Sequence, residues 1–156
     1  VLANGGMASI IAIAHQLYGG HDWSYLVLCS SISVAASDTL ASEIGSLDPR
    51  TRIITTLEAV PAGTNGGMSP TGTLAAFYGA LLIASVSTIL GAINGDSTQP
   101  AFLFMVVIVI GWLGCQVDSI LGALLENRGF LGKHSVNFLS TLAGALIAFG
   151  AAMRFL

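Results

Sequence analysis

Pro100-Ala-Phe-Leu-Phe-Met-Val-Val-Ile-Val-Ile-Gly-Trp-Leu-Gly-Cys-Gln-Val-Asp118 decides the fold class of this chain. The run carries no charge before its last residue and continues apolar to about Leu125. That suffices to cross a bilayer, which takes about 20 residues of helix. Four more apolar stretches flank it: a short one from about Met7 to Tyr18, then Trp23 to about Gly45, about Thr71 to Ile93, and about Val136 to Phe155. Pro70 and Pro100 stand where helices begin, because a first-turn proline loses no needed donor. Only 8% of the 156 residues are charged and 54% are hydrophobic, whereas a soluble domain carries roughly 25% charged residues. The surface therefore faces lipid. The expected fold is all-α, a polytopic transmembrane bundle of about five helices forming a single domain over residues 1–156. The chain starts at Val1 with no charged segment ahead of an apolar one. No signal peptide is expected, and the chain reads as the C-terminal part of a longer membrane protein.

Charge sets orientation and excludes some partners. A net charge of -3 with five Lys and Arg residues argues against nucleic acid. Arg50 and Arg52 follow the second stretch, and Arg128 and Lys133 follow the fourth. Arg154 alone lies toward the other side if the helices alternate. Positive residues favour the cytoplasmic face, so the Asp48–Pro70 and Glu126–Ser135 loops are expected there. Cys29 and Cys115 are offset by about 13 Å along their helices at 1.5 Å per residue, too far for a disulfide. His15, His21 and His134 are scattered and read as interfacial polar residues.

Two carboxylates stand out because charge inside a membrane helix costs roughly 2.5–3.5 kcal/mol. Asp38 lies about a turn and a half before the end of the second stretch and shares a face with Ser42. Asp118, Gly122 and Glu126 form one stripe of the fourth. Asp38 and Asp118 fall at similar depth, where two carboxylates repel unless a cation lies between them. A hard cation such as Mg2+ suits such oxygens, with Asp38, Glu43, Asp118 and Glu126 as the candidate ligands. The segment Gly63-Thr-Asn-Gly-Gly-Met-Ser-Pro-Thr-Gly-Thr73 offers backbone N–H groups and hydroxyls and runs into a helix N-terminus, a setting that favours anions. It is not a P-loop, because no Gly-Lys-Ser/Thr follows at the required spacing. Candidate nucleotide-binding residues are Gly63, Thr64, Asn65, Gly66, Gly67, Ser69, Thr71 and Thr73, with Arg50, Arg52 and Lys133 as phosphate partners. Asn137 opens the fifth stretch as a cap, a helix-pairing group or a further contact. Thr73–Ala75 and Thr141–Ala143 repeat Thr-Leu-Ala after each basic loop, an internal echo of a parallel repeat.

Val1-Leu-Ala-Asn-Gly5, Ala36-Ser-Asp-Thr-Leu-Ala-Ser-Glu-Ile-Gly45, Gly63–Thr73, Asp118-Ser-Ile-Leu-Gly-Ala123 and Val136-Asn-Phe-Leu-Ser-Thr141 together resemble the integral membrane family of transmembrane protein 19 and the plant phytyl-phosphate kinases. More distantly, Asp38-Thr-Leu-Ala41 and Gly63-Thr…Gly72-Thr73 are similar to motifs of CTP-dependent dolichol and phytol kinases and CDP-lipid synthases. The dolichol-kinase-like loops usually hold Lys where this chain has Asn65-Gly66-Gly67, so the positive charge is expected from Arg50, Arg52 or Lys133. The resemblance implies a CTP-dependent prenyl-phosphate kinase using Mg2+ and an isoprenoid monophosphate such as phytyl phosphate. Asp38, Asp118 and Arg52 are then the expected catalytic groups, and the lipid tail lies among the helices. A CDP-lipid-forming cytidylyltransferase is the alternative enzyme, and a membrane transporter or scaffold the alternative outside enzymes. A homo-oligomer is compatible with all of these.

Overall fold

The computed structural model describes residues 2–18, 22–96 and 98–156. His21, read above as an interfacial residue, lies outside them. Five α-helices follow one another: α1 (Leu2–Leu17), α2 (Asp22–Gly45), α3 (Pro70–Asn94), α4 (Pro100–Leu121) and α5 (Lys133–Phe155). Four of them, α2 to α5, are long and apolar enough to cross a membrane. With 16 residues, α1 falls short of the roughly 20 that a span needs, and packs beside α2 and α5. The expected helical bundle is present; α4 begins at Pro100 as its apolar run does, and the other four helices begin earlier than theirs. α5 starts at Lys133 rather than Val136, because a membrane helix extends past its hydrocarbon-facing core into the polar interface.

α2 lies at the centre, packed against α1, α3, α4 and α5. Small side chains make that position available. Ser30, Ser33 and Ser37 are fully buried on it, as are Leu26 and Val34. Glycines of the neighbours sit over this surface: Gly79 of α3 over the Ser37 backbone, Gly111 of α4 over Ser33, and Gly114 of α4 and Gly144 of α5 over Val34. Lipid tails are as apolar as the helix surfaces, so close backbone packing rather than hydrophobic transfer holds such helices together. The Ser33 hydroxyl also donates across the interface to the Val107 carbonyl at 3.0 Å.

The packing makes a signed prediction. A Cβ on Gly144 would stand 2.6 Å from Val34 Cγ2. Gly144→Ala gains about 1 kcal/mol of helix propensity, but overpacking costs about 1–3 kcal/mol, so the net effect is destabilising. A Cβ on Gly150 meets nothing within 4 Å, so Gly150→Ala keeps the gain. Thermal unfolding in detergent should show a lower Tm for the first variant and an equal or higher one for the second.

At one end of the bundle the loop between α2 and α3 folds back on itself. β1 (Arg52–Ile53) pairs antiparallel with β2 (Gly67–Met68), with Arg52 opposite Met68. Below the loop, α4 widens into one π-helical turn over Gly122–Glu126, marked by the Asn127 N–H donating to the Gly122 carbonyl at 3.1 Å. Single π turns occur often at functional sites.

Candidate functional site

The ends of α2, α3, α4 and α5 meet at the folded loop and enclose a polar cavity of about 270 Å³. Asp38, Ser42 and Glu43 enter it from α2, and Asp118, Ser119 and Glu126 from α4 and its wide turn. Lys133 enters from the start of α5, and Gly63 to Ser69 and Thr73 come from the loop and α3. The two loops that carry most of the basic residues therefore lie at the same end of the bundle.

Asp38 and Asp118 are brought within side-chain hydrogen-bonding reach of each other. Asp38 is 9% exposed. Asp118 accepts from the Ser140 hydroxyl of α5 at 2.8 Å, which fixes its carboxylate across the α4–α5 interface. Ser140 was not among the expected residues. Its signal was its place one helical turn after Asn137, on the face of α5 that meets α4. Gln116, Ser119 and Cys115 also line the cavity without having been expected. They flank Asp118 in sequence, and a polar cluster around an intramembrane acid was the clue to them.

Most of the glycine-rich segment lines the same space. Gly66 has φ +71°, and a Cβ there would stand 2.5 Å from the Ala123 backbone nitrogen. Glycine at this point lets the loop lie directly on the wide turn of α4. Asn127 reinforces the contact by donating its side-chain N–H to the Asn65 carbonyl at 2.9 Å. The loop's own backbone bonds use the N–H groups of Thr64 and Gly67, while those of Gly63, Asn65 and Gly66 are not among them in the described residues.

The N-terminus of α3 differs from the expectation of an anion-receiving end. Ser69 caps it, accepting from the Gly72 N–H at 3.1 Å. The Thr71 hydroxyl and N–H donate to Asp48 at 2.8 and 3.3 Å. Its first-turn donors are therefore already satisfied by the protein's own oxygens. Thr71 belongs to this cap rather than to the cavity lining.

Arg50 and Arg52 also stand outside the lining. Arg50 donates Nε and a terminal N–H to the two oxygens of Asp48, each at 2.9 Å. Arg52 donates to the Leu57 carbonyl at 2.8 Å within the folded loop. Proximity in the chain explains the first: the acid two residues away pairs with the guanidinium through both oxygens. Asn137 is buried in α5, its carbonyl accepting from Ser140 and Thr141. Lys133 is the expected cation that the fold does bring to the cavity.

The Arg50 guanidinium beside Asp48 holds its carboxyl well below the usual carboxylate range, aided by the Thr71 bonds. A depressed carboxyl stabilises the fold above its unfolded pKa of about 3.9, and the contribution is lost as pH falls through the folded value. The 49–69 loop should thus stay protected at neutral and mildly acidic pH and open only in strong acid. Asp48→Asn should open it at every pH. Amide exchange of that segment, corrected for the intrinsic pH dependence, checks both statements.

The carboxylates Asp38, Glu43, Asp118 and Glu126 surround this space with Lys133 as the one basic side chain lining it among the described residues. No three His, Cys, Asp or Glu side chains among them converge as a ready-made metal cage. The donor set still suits a hard divalent ion, because Mg2+ is commonly held by one or two carboxylates together with substrate phosphates. An acid-lined cavity under a glycine-rich loop, at the end of four apolar helices, defines a polytopic membrane protein with a built polar site at one membrane face. The chain belongs to the family described as integral membrane protein DUF92, which matches residues 1–145. This membership bears out the resemblance carried by the motifs.

An uncharacterized membrane protein of Methanocaldococcus jannaschii is 37% identical over 94% of this chain and 58% of its own length. Protein PGR of Arabidopsis thaliana is 32% identical over 83% of this chain and 52% of its own. Protein VTE6, chloroplastic, of the same plant is 34% identical over 76% and 35%. The chain spans about half the length of the curated relatives it matches. No solved structure matches it.

Proposed function

We propose that the cavity is the phosphoryl-transfer site of a prenyl-phosphate kinase, with CTP as donor, Mg2+ as cofactor and an isoprenoid monophosphate as acceptor. The observation that carries this reading is the meeting of two intramembrane carboxylates with a glycine-rich loop in one cavity. Its acidity supports a cation requirement: bare phosphates would be repelled by Asp38 and Asp118. Family membership and the resemblance to plant phytyl-phosphate kinases supply the substrate class. The site-bearing face is taken as cytoplasmic, in keeping with Arg50, Arg52, Arg128 and Lys133 at that end.

Asp38 and Asp118 would hold Mg2+, with Glu43 and Glu126 at the rim of the same field. When bound, the ion neutralises phosphate charge. Backbone N–H groups of Gly63, Asn65 and Gly66 would orient the polyphosphate, and Lys133 would pair with its outer oxygens. At about 270 Å³ the cavity lies just under the usual ligand-site range of about 300–1,000 Å³. It therefore takes the polyphosphate end and leaves the base at the mouth. An oxygen of the lipid monophosphate attacks the γ-phosphorus, the bond from that phosphorus to the β,γ-bridging oxygen breaks, and CDP leaves as the prenyl diphosphate forms. The monophosphate oxygen is already a competent nucleophile, so the chain needs no strong general base and supplies positioning and charge balance.

Lys133 gives the binding test. A hydrogen bond to a charged group contributes about 1.5–3 kcal/mol, so Lys133→Gln should weaken CTP binding in the presence of Mg2+ by about tenfold or more. Arg52→Ala should change it little, because that side chain lies outside the cavity lining and donates to the Leu57 carbonyl within the loop. Calorimetric titration of detergent-solubilised protein reads both. Equal affinity in wild type and Lys133→Gln would remove this cation from the site.

A further inference from the structure

A second cavity, of about 400 Å³, opens between α3 and α4 and is lined by Pro70, Thr73, Leu74, Phe77 and Trp112. Its walls are apolar, and Leu74, Phe77 and Trp112 are exposed on the lipid-facing side of spanning helices. Thr73 lines both this groove and the polar cavity. The Trp112 indole N–H donates to the Thr73 carbonyl at 3.4 Å, which holds the ring as a wall beside that junction. From Pro70 to Phe77 the groove follows about 10 Å of α3 at 1.5 Å per residue. One end of the groove thus adjoins a site of charged and polar groups across Thr73, and the rest faces hydrocarbon.

We infer that this groove is the lateral entry and docking site for the apolar tail of a lipid bearing a phosphate headgroup, the head passing Thr73 into the polar cavity. The adjacency of the two cavities at Thr73 argues for an occupant that is apolar at one end and anionic at the other. An ordinary bilayer lipid resting on a hydrophobic surface needs no such junction. The inference deepens the proposed function by naming the helices that take the substrate tail, and it rests on that reading for the chemistry of the head.

The test is photo-crosslinking of the protein in detergent with a prenyl monophosphate carrying a diazirine on the tail near the head, followed by peptide mapping. The expected result is labelling of residues 70–77 and of Trp112, competed by unlabelled prenyl monophosphate but not by the corresponding alcohol. Leu74→Trp fills the groove from a half-exposed position where the fold is not at stake, and should reduce that labelling at least fivefold. Labelling spread evenly over exposed faces such as Ile13 and Leu146, or unaffected by competitor, would overturn the inference. Product formation measured on the same preparation separates the two proposals. Turnover with labelling elsewhere removes the groove and leaves the kinase. Competed labelling of the groove without turnover keeps the lipid-phosphate site and removes the kinase.

Discussion

Asp38→Asn and Asp118→Asn are each expected to lower turnover at least about 100-fold, the scale on which loss of one preorganised electrostatic group acts, while the protein still inserts and folds. Asparagine keeps the size of the side chain and removes its charge. The two carboxylates face each other near the end of spanning helices, where like charges raise the free energy of the empty site. Removing one charge relieves that repulsion. The variants should therefore match or exceed the wild type in thermal stability without Mg2+, and should lose any stabilisation that added Mg2+ gives. A drop in both activity and stability would point to a structural role. Normal turnover with normal Mg2+ dependence in either variant would contradict the metal assignment of that residue.

Gly66→Val carries the second large effect. Its Cβ would fall 2.5 Å from the Ala123 nitrogen and 2.7 Å from the Ala123 Cα, atoms of a helical backbone that cannot step aside. The loop should lift off the α4 turn, with nucleotide affinity falling at least about 100-fold, the cost of several lost contacts at about 1 kcal/mol each. Limited proteolysis should then cut between residues 52 and 67. Gly67→Val acts through the same kind of conflict, with Thr51 Cγ2 at 2.7 Å and the Thr64 carbonyl at 2.8 Å. Gly63 has φ +84° with nothing within 4 Å of a Cβ, so Gly63→Ala costs only backbone strain of about 1–2 kcal/mol. A graded loss, small at 63 and large at 66, is the expected pattern. Normal nucleotide affinity in Gly66→Val would remove the loop from the site.

The fold was legible because apolar length is a direct physical requirement for crossing a bilayer. Asp38, Asp118 and the glycine-rich loop were legible as anomalies: charge where it is costly, and glycine where no span needs it. What the sequence hid was competition. Asp48 and Arg50 look like one available acid and one available base, yet they neutralise each other and tie the loop to Thr71. Ser69 and Asp48 fill the helix end that was read as open to anions. The central place of α2 was also hidden, because its serines look polar in a window average while their small size is what admits four neighbours. The two-residue strands leave no periodic pattern to read.

On the proposed function, the cavity transfers the terminal phosphoryl group of a nucleotide to a lipid monophosphate. This transfer is tested most directly by incubating the purified full-length protein with CTP labelled at the γ-phosphate, a prenyl monophosphate and Mg2+, and separating the products. Label is expected in a prenyl diphosphate, with one CDP released per lipid converted, and no conversion by Asp38→Asn. Label released as pyrophosphate with a cytidine-bearing lipid would establish the cytidylyltransferase chemistry instead, and conversion by Asp38→Asn at the wild-type rate would contradict the site.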